Sequence, residues 1–194
     1  MNTVTAPQTP AEMKKAGILS ATTELVFKYG FSRVTMDDIA KECGLSRPAL
    51  YQFFRNKQEI YRAIATQMCF ENLAIMDDIL AKQIPAAEKV VSAVVEGKLR
   101  MVCEMEATQH GAELMDLGNE LSADIIEQYT SGMLERLTKV YETAAGGKPE
   151  FSASQMATDL VFWLEGMKPQ IKPLDEREAA LRRFVAMQFA ALKA

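Results

Sequence analysis

Side chains suited to reading nucleic acid are concentrated in one short stretch, TMDDIAKECGLSRPALYQFFRNK, which runs from residue 35 to residue 57. Arg47 can donate two hydrogen bonds to guanine O6 and N7, and Gln52 can reach an adenine or a phosphate. Pro48 and Ala49 offer small apolar contacts, such as one to a thymine methyl group. The hydroxyl and ammonium groups of the stretch are suited to phosphate oxygens. The residues predicted to contact DNA are Thr35, Ser46, Arg47, Pro48, Ala49, Tyr51, Gln52 and Lys57.

Two short helices joined by a tight turn are predicted to present these side chains. Thr35 can cap the first helix, with Asp38 in the position of a capping box, and Ser46 can cap the second. Gly44 between them permits the positive φ that a tight turn requires. Pro48 falls in the first turn of the second helix, where backbone N–H groups have no partner within the helix. The pattern predicts a helix-turn-helix whose second helix can enter the major groove, although a helical hairpin that binds nothing would share it.

The rest of the chain has the spacing of amphipathic helices. An apolar face at residues 18, 21, 22, 25 and 29 predicts a first helix, which Gly30 ends as a left-handed C-cap. Three later helices are predicted over Asn56 to about Lys82, near 86–106, and from about Ser122 to Ala145, with breaks at Gly111 and Gly118. Two more are predicted to begin at caps, one at Ser152 and one at Asp175 with Glu178. No convincing strand alternation and no internal repeat is found. The predicted fold is all-α, with about nine helices.

Composition limits the classes of protein that remain. The chain has 194 residues, 48% hydrophobic and 25% charged, which is enough apolar material for a folded core. Its three cysteines form no CxxC pair, so we expect no disulfide framework and a cytoplasmic location. A single histidine argues against a His/Cys metal site, and no cofactor is expected. No apolar run reaches the roughly 18 residues of a membrane span, and no signal peptide or catalytic motif such as GxSxG or HExxH is found.

Charge is divided unevenly along the chain, whose net charge is −4. Residues 1–62 hold nine Lys or Arg and six Asp or Glu, a balance of +3, whereas the remaining residues have a balance of −7. This division indicates that only the N-terminal region meets an anion, although ordinary variation in surface charge would give the same imbalance.

Residues 13–62, about a quarter of the chain, resemble the DNA-binding region of the TetR family of bacterial transcriptional regulators. The resemblance is carried at fixed spacing by Gly30-Phe31, Thr35-Met36, Ile39-Ala40, Gly44-Leu45-Ser46, Leu50-Tyr51, Phe53-Phe54, Asn56-Lys57 and Glu59-Ile60. Cys43 stands where alanine is usual in the family, and Pro48, where glycine is frequent, alters the surface that faces the groove. With the resemblance, we expect a flexible arm at residues 1–10, a helix-turn-helix domain at 11–56, and a ligand-binding and dimerisation domain at 57–194.

The resemblance also implies partners and a mechanism. Family members dimerise through their last two helices and bind a small molecule in the helical body. The expected partners are therefore a palindromic operator in double-stranded DNA, a small-molecule effector of unknown identity and a second copy of the chain, without a membrane. The expected activity is repression that the effector relieves. The candidates for the dimer interface are Trp163, Leu164, Met167, Phe184 and Phe189, and those for effector contact are Met68, Met101, Met105, His110 and Met133, although packing within one chain explains apolar residues at helical spacing equally well.

Three other interpretations stay open on the sequence. A helical adaptor could keep the N-terminal fold and bind protein instead of DNA. An enzyme is disfavoured because the single His110 has no evident catalytic partner in the sequence. A redox switch would need a reactive thiol among Cys43, Cys69 and Cys103, whereas an isolated cysteine is usually a small buried hydrophobic residue.

Overall fold

The computed structural model describes residues 9–146, 152–167 and 173–192, and within these ranges the chain is helical and contains no β-strand. The helices are α1 Pro10–Tyr29, α2 Met36–Glu42, α3 Arg47–Tyr51, α4 Lys57–Leu80, α5 Ala86–Val94, α6 Arg100–Glu106, α7 Gly111–Leu121, α8 Ala123–Ala145, α9 Ala153–Met167 and α10 Leu174–Ala191. A π-helical segment, Val95–Leu99, joins α5 to α6 without a break. Counting these three pieces as one, the described residues form nine helices, and the predicted all-α fold is confirmed.

The chain forms two compact units. The first consists of Met1–Glu71 and Glu104–Ile126, and the second of Asn72–Cys103 and Glu127–Ala194. The first unit therefore contains α1–α3, α4 as far as Glu71, the end of α6, all of α7 and the start of α8. Most of the expected flexible arm, residues 1–8, lies outside the described residues.

The apolar core of the first unit lies directly beneath the predicted helix-turn-helix. Ile39 of α2, Leu50 of α3 and Ile60 of α4 are fully buried in one cluster, which Leu114 of α7 joins. The Tyr61 hydroxyl donates a hydrogen bond of 2.6 Å to the Leu114 carbonyl. Helix α7 is thus part of the packing that positions α1–α3, a contribution that the division at residue 56 did not include.

The core of the second unit is built on α8. Met133, Leu137 and Tyr141 are spaced four residues apart and are all fully buried. The Tyr141 hydroxyl donates to Gln188 Oε1 of α10 at 2.5 Å. The π segment is anchored in the same unit, because the Tyr129 hydroxyl donates to the Gly97 carbonyl. None of the helices in the described ranges combines the length and hydropathy that a membrane span requires.

Several boundaries follow the predicted local signals. Gly44 has φ of 62°, and Gly30 has the predicted positive φ of 82°, but its ψ of 149° is extended rather than left-handed helical. The buried face of α1 continues from Thr22 to Val26, so that Tyr29, expected on that face, is 45% exposed. At Ser152, the Oγ accepts from the N–H of Gln155 as a cap should.

Two predicted boundaries were wrong. Helix α7 continues through Gly118. A Cβ atom at Gly118 would lie 3.4 Å from the Tyr61 hydroxyl oxygen. The last helix begins at Leu174 after Pro173 and has no side-chain cap. Instead of forming a capping box with Asp175, Glu178 accepts a hydrogen bond from Arg182 at 2.9 Å.

Candidate nucleic-acid interface

Helix α3 presents polar side chains on one surface and is fixed from beneath by one apolar side chain. Ser46 caps the helix, since its Oγ accepts a hydrogen bond of 3.3 Å from the N–H of Ala49. Leu50 is fully buried. Arg47, Pro48, Tyr51 and Gln52 are exposed, and Ala49 is half-buried. All six predicted contact residues from 46 to 52 therefore lie on or beside a solvent-facing surface.

The preceding helix and turn hold α3 in place through local hydrogen bonds. The Thr35 Oγ1 accepts from the N–H of Asp38 at 3.2 Å, and Asp38 Oδ2 accepts from the N–H of Thr35 at 2.9 Å, which completes the predicted capping box. The Thr35 hydroxyl also donates to Asp38 Oδ2. This hydrogen bond, and to a smaller extent the one from the Thr35 N–H, lowers the pKa of the Asp38 carboxyl below its usual value. The Leu45 N–H donates to the Ala40 carbonyl at 2.8 Å across the turn. Thr35 is exposed, so its cap role leaves it at the surface.

Arg47 has partners on its own surface. Its guanidinium lies 3.1 Å from Asp37 Oδ1, 5.6 Å above the Tyr51 ring and 3.5 Å from the Tyr51 hydroxyl. The Tyr51 hydrogen bond and the Asp37 charge raise the pKa of Arg47. About 60% of both ionic side chains is exposed. An ion pair this exposed contributes little, so Arg47 can exchange Asp37 for a base or a phosphate.

Lys57 has a different environment from the one that the sequence suggested. Its Nζ donates to the carbonyls of Phe31 at 2.8 Å and Val34 at 3.1 Å, and lies 4.4 Å from the centre of the Phe31 ring. The ammonium group thus caps the carbonyls of the turn between α1 and α2. A phosphate contact would have to compete with these bonds, so the structure supports a structural role for Lys57.

A carboxylate far away in the sequence contacts the same turn. Glu113 Oε1 of α7 accepts from the Ser32 N–H at 2.9 Å and from the Ser32 hydroxyl at 2.7 Å. These two donors lower the pKa of the Glu113 carboxyl. His110, a candidate for effector contact, has its Nδ1 3.6 Å from Glu113 Oε2. No local pattern in the sequence predicts this contact, because 81 residues separate its partners.

The methionine candidates for effector contact are divided between the two units. Met68 and Met105 pack against the core of the first unit. In the second unit, Met133 is fully buried, and Met101 Sδ accepts a hydrogen bond from Asn72 Nδ2 at 2.8 Å. The described residues contain no group of three or more His, Cys, Asp or Glu side chains arranged to hold a metal ion.

An open groove of about 550 Å³ lies in the second unit, between the end of α4, the start of α5 and the C-terminal half of α8. Leu80, Ile84 and Val140 are among its apolar residues, and the bidentate pair of Arg136 with Asp77, at 2.7 and 2.8 Å, lies in its wall. None of the five candidates for effector contact lines it.

The dimer-interface candidates divide between the surface and the core of the second unit. Trp163 and Phe184 are half-buried and stack with ring centroids 4.8 Å apart. Leu164 is 2% exposed, so it packs within its own chain and offers nothing to a partner. Met167 and Phe189 are half-buried, and Phe189 lies 5.3 Å from the Tyr141 ring.

Two large apolar side chains that sequence reasoning missed are more exposed than any of these candidates. Phe162 of α9 is 70% exposed and Met187 of α10 is 65% exposed. The apolar spacing that marked the two helices could have included them, but spacing alone does not show which apolar residues face outward.

A capped, glycine-linked pair of short helices over a shared core, with an arginine-bearing second helix at the surface, defines a helix-turn-helix protein. The model of the family described as "Bacterial regulatory proteins, tetR family" matches residues 18–64. YhgD, an uncharacterized HTH-type transcriptional regulator of Bacillus subtilis, is 24% identical over 86% of this chain and 91% of its own. The chain is therefore similar to TetR-family transcriptional regulators, in its N-terminal region by the family model and along most of its length by YhgD.

Solved structures share the fold along nearly the whole chain. A TetR/AcrR-family regulator from Thermobifida fusca superposes with a TM-score of 0.67 at 20% identity, covering 89% of this chain and 96% of that one. The complex of SmeT with triclosan superposes with a TM-score of 0.63 at 18% identity, covering 92% and 91%. SmeT is the repressor of a multidrug efflux pump of Stenotrophomonas maltophilia. At these identities the likeness establishes the fold.

Proposed function

We propose that this regulator is a repressor that binds a palindromic operator as a homodimer and leaves it when a small-molecule effector binds. The observation that carries the proposal is the exposed row Arg47, Pro48, Tyr51 and Gln52 above the fully buried Leu50. In this arrangement α3 is the recognition helix, with Arg47 at its N-terminal end directed to base edges. Residues 11–56 supply the DNA contacts, and residues 57–194 supply the effector site and the dimer contacts.

The short length of α3 supports a dimer. Five residues offer few base contacts, whereas two copies bound to half-sites about 34–36 Å apart double them and match the symmetry of a palindrome. The exposed Phe162 and Met187 on the last two helices supply apolar surface for such contacts, beside the stacked Trp163 and Phe184. Leu164 is not part of this interface.

The effector proposal rests on the family and on one structural relative. SmeT, which shares the fold, is known as a complex with triclosan. An effector need only bind more tightly to a conformation with altered spacing of the two recognition helices, and a coupling of about 1–3 kcal/mol is typical. The release of a cytoplasmic repressor from its operator follows from that difference in affinity.

Selection from a random duplex library tests DNA recognition, and Arg47→Ala tests the recognition helix. The purified chain should enrich a palindromic duplex. Arg47→Ala should lose about 1–3 kcal/mol of discrimination at one base pair of each half-site, measured by fluorescence anisotropy with the enriched duplex and with single-base variants of it. Lys139→Ala, which removes one exposed cation from the second unit, is the matched control and should retain the wild-type preference.

Equal base preference in the wild type and Arg47→Ala would remove Arg47 from base recognition. A wild-type protein that enriches no duplex at low salt, but captures a protein partner through the same surface, would favour the adaptor instead.

A further inference from the structure

The turn between α1 and α2 is held by charged side chains from two later helices. Lys57 of α4 donates to the carbonyls of Phe31 and Val34 at 2.8 and 3.1 Å. Glu113 of α7 accepts from the N–H and the hydroxyl of Ser32 at 2.9 and 2.7 Å. A cation on carbonyl oxygens and an anion on donor hydrogens each form charge-assisted hydrogen bonds. The turn therefore has a fixed place against both α4 and α7 within the first unit.

The contact with α7 is close and leaves little freedom. A Cβ at Gly30 would lie 2.6 Å from Glu113 Oε2 and 3.0 Å from His110 Nδ1. The helix that carries Glu113 is itself anchored, because Leu114 is 3% exposed and its carbonyl accepts the Tyr61 hydroxyl. Glu113 thus reaches the turn from a helix that is fixed in the core.

The turn leads directly into the helices that face DNA. Thr35 ends the turn and caps α2, and Ile39 of α2 and Leu50 of α3 are both fully buried in the shared core. Close-packed side chains transmit a displacement because they have no free volume to absorb it. A change in the position of the turn is therefore expected to change the position of α3.

We propose that Glu113 is a positioning residue for operator binding, which holds the α1–α2 turn, and through it α3, in the arrangement that reads the duplex. This inference rests on the proposed function. Glu113 acts through Ser32 and does not touch DNA. It gives α7 a direct part in setting the DNA affinity of the first unit.

Affinity for the duplex enriched by the wild-type protein tests the proposal, at a temperature where circular dichroism shows every variant folded. Glu113→Ala should weaken binding by about fivefold or more, the lower end of typical coupling between sites. Glu113→Gln keeps an amide oxygen that can accept both Ser32 donors, and should restore affinity close to the wild-type value. Glu120→Ala removes an exposed acid from the same helix and is the matched control, with no weakening expected.

The sign of the change separates positioning from bulk charge and from stability. Removal of any acid near a polyanion tends to strengthen binding, so weakening by Glu113→Ala is opposite to an effect of net charge. Glu113→Gln removes the same charge, so a difference in affinity between these two variants does not come from net charge. A role in stability alone would lower the unfolding temperature and leave the affinity of the folded protein unchanged.

Wild-type affinity of folded Glu113→Ala would overturn the positioning role while operator binding stands. Failure of the wild type to enrich any duplex would overturn the proposed function instead. Should Glu113→Ala fail to fold, Ser32→Ala removes only the hydroxyl donor. It should then weaken binding in the same direction by a smaller factor, and unchanged affinity of that variant would overturn the proposal.

Discussion

At the scale of the residue, the proposed base contact of Arg47 involves its neighbour Asp37. Asp37 Oδ1 lies 3.1 Å from the Arg47 guanidinium, which also lies 5.6 Å from the centre of the Tyr51 ring. In the proposed complex, this carboxylate adds a negative charge to a surface that approaches phosphates. We therefore expect Asp37 to reduce the affinity for any duplex, whatever its sequence.

Asp37→Asn should strengthen binding to random duplex by roughly threefold at low salt, because one repulsive charge is removed. The gain should shrink as added salt shortens the range of the interaction from about 10 Å at 0.1 M to about 3 Å at 1 M. Anisotropy titrations across a salt series measure it, with Asp116→Asn, an exposed acid of α7, as the control. Unchanged or weaker binding to random duplex would show that Asp37 does not face the DNA.

The sequence predicted the residues on α3 better than their neighbours. Arg47 and Gln52 are exposed as expected from a short helix with one apolar anchor. Lys57 was expected at a phosphate, but its ammonium group caps turn carbonyls more than 20 residues away. Glu113 and Ser32 meet across 81 residues. Contacts of this kind depend on how helices pack, and sequence spacing carries no information about them.

At the scale of the element, the short helices of the first unit rely on their caps. Seven residues in α2 and five in α3 are too few for a helix to form alone, so capping and burial must supply the stability. These caps were predictable because their partners lie three residues apart. The expected cap at Asp175 was wrong because that helix already begins at Leu174, with Pro173 in the N-cap position. Leu164 is buried although Phe162 is exposed, because α9 has apolar residues on more than one side.

The Asp38 cap makes a prediction about pH. Hydrogen bonds from Thr35 lower the pKa of Asp38 in the folded state below the ordinary value of 3.8. The ionised carboxylate therefore stabilises the fold above about pH 4, and this contribution is lost as the pH falls through the folded pKa. The unfolding temperature of Asp38→Asn should lie below that of the wild type at neutral pH, and the difference should narrow towards pH 2.

Thermal unfolding followed by circular dichroism between about pH 2 and pH 7 measures this difference, with Asp116→Asn as the control. A gap between the wild type and Asp38→Asn that stays constant over the whole range would show that the charge of Asp38 is not what the cap uses.

At the scale of the whole molecule, the proposed function requires two chains on one duplex. Helix α3 of the first unit, the proposed recognition helix, has only five residues, and the second unit carries exposed apolar side chains on α9 and α10. The sequence predicted both helices, and their most exposed apolar residues, Phe162 and Met187, became evident only from the packing. A stable contact through them would place one recognition helix on each half of a palindrome.

Sedimentation velocity of the protein mixed with the enriched duplex measures how many protomers bind one duplex. We expect two protomers per duplex, bound at about 10⁻⁸ M or tighter. Phe162→Asp should give monomers with much weaker binding, whereas Phe70→Asp, at an exposed phenylalanine of α4, should remain dimeric. A single protomer that binds the duplex at full affinity, or a chain that binds no duplex at low salt, would contradict it.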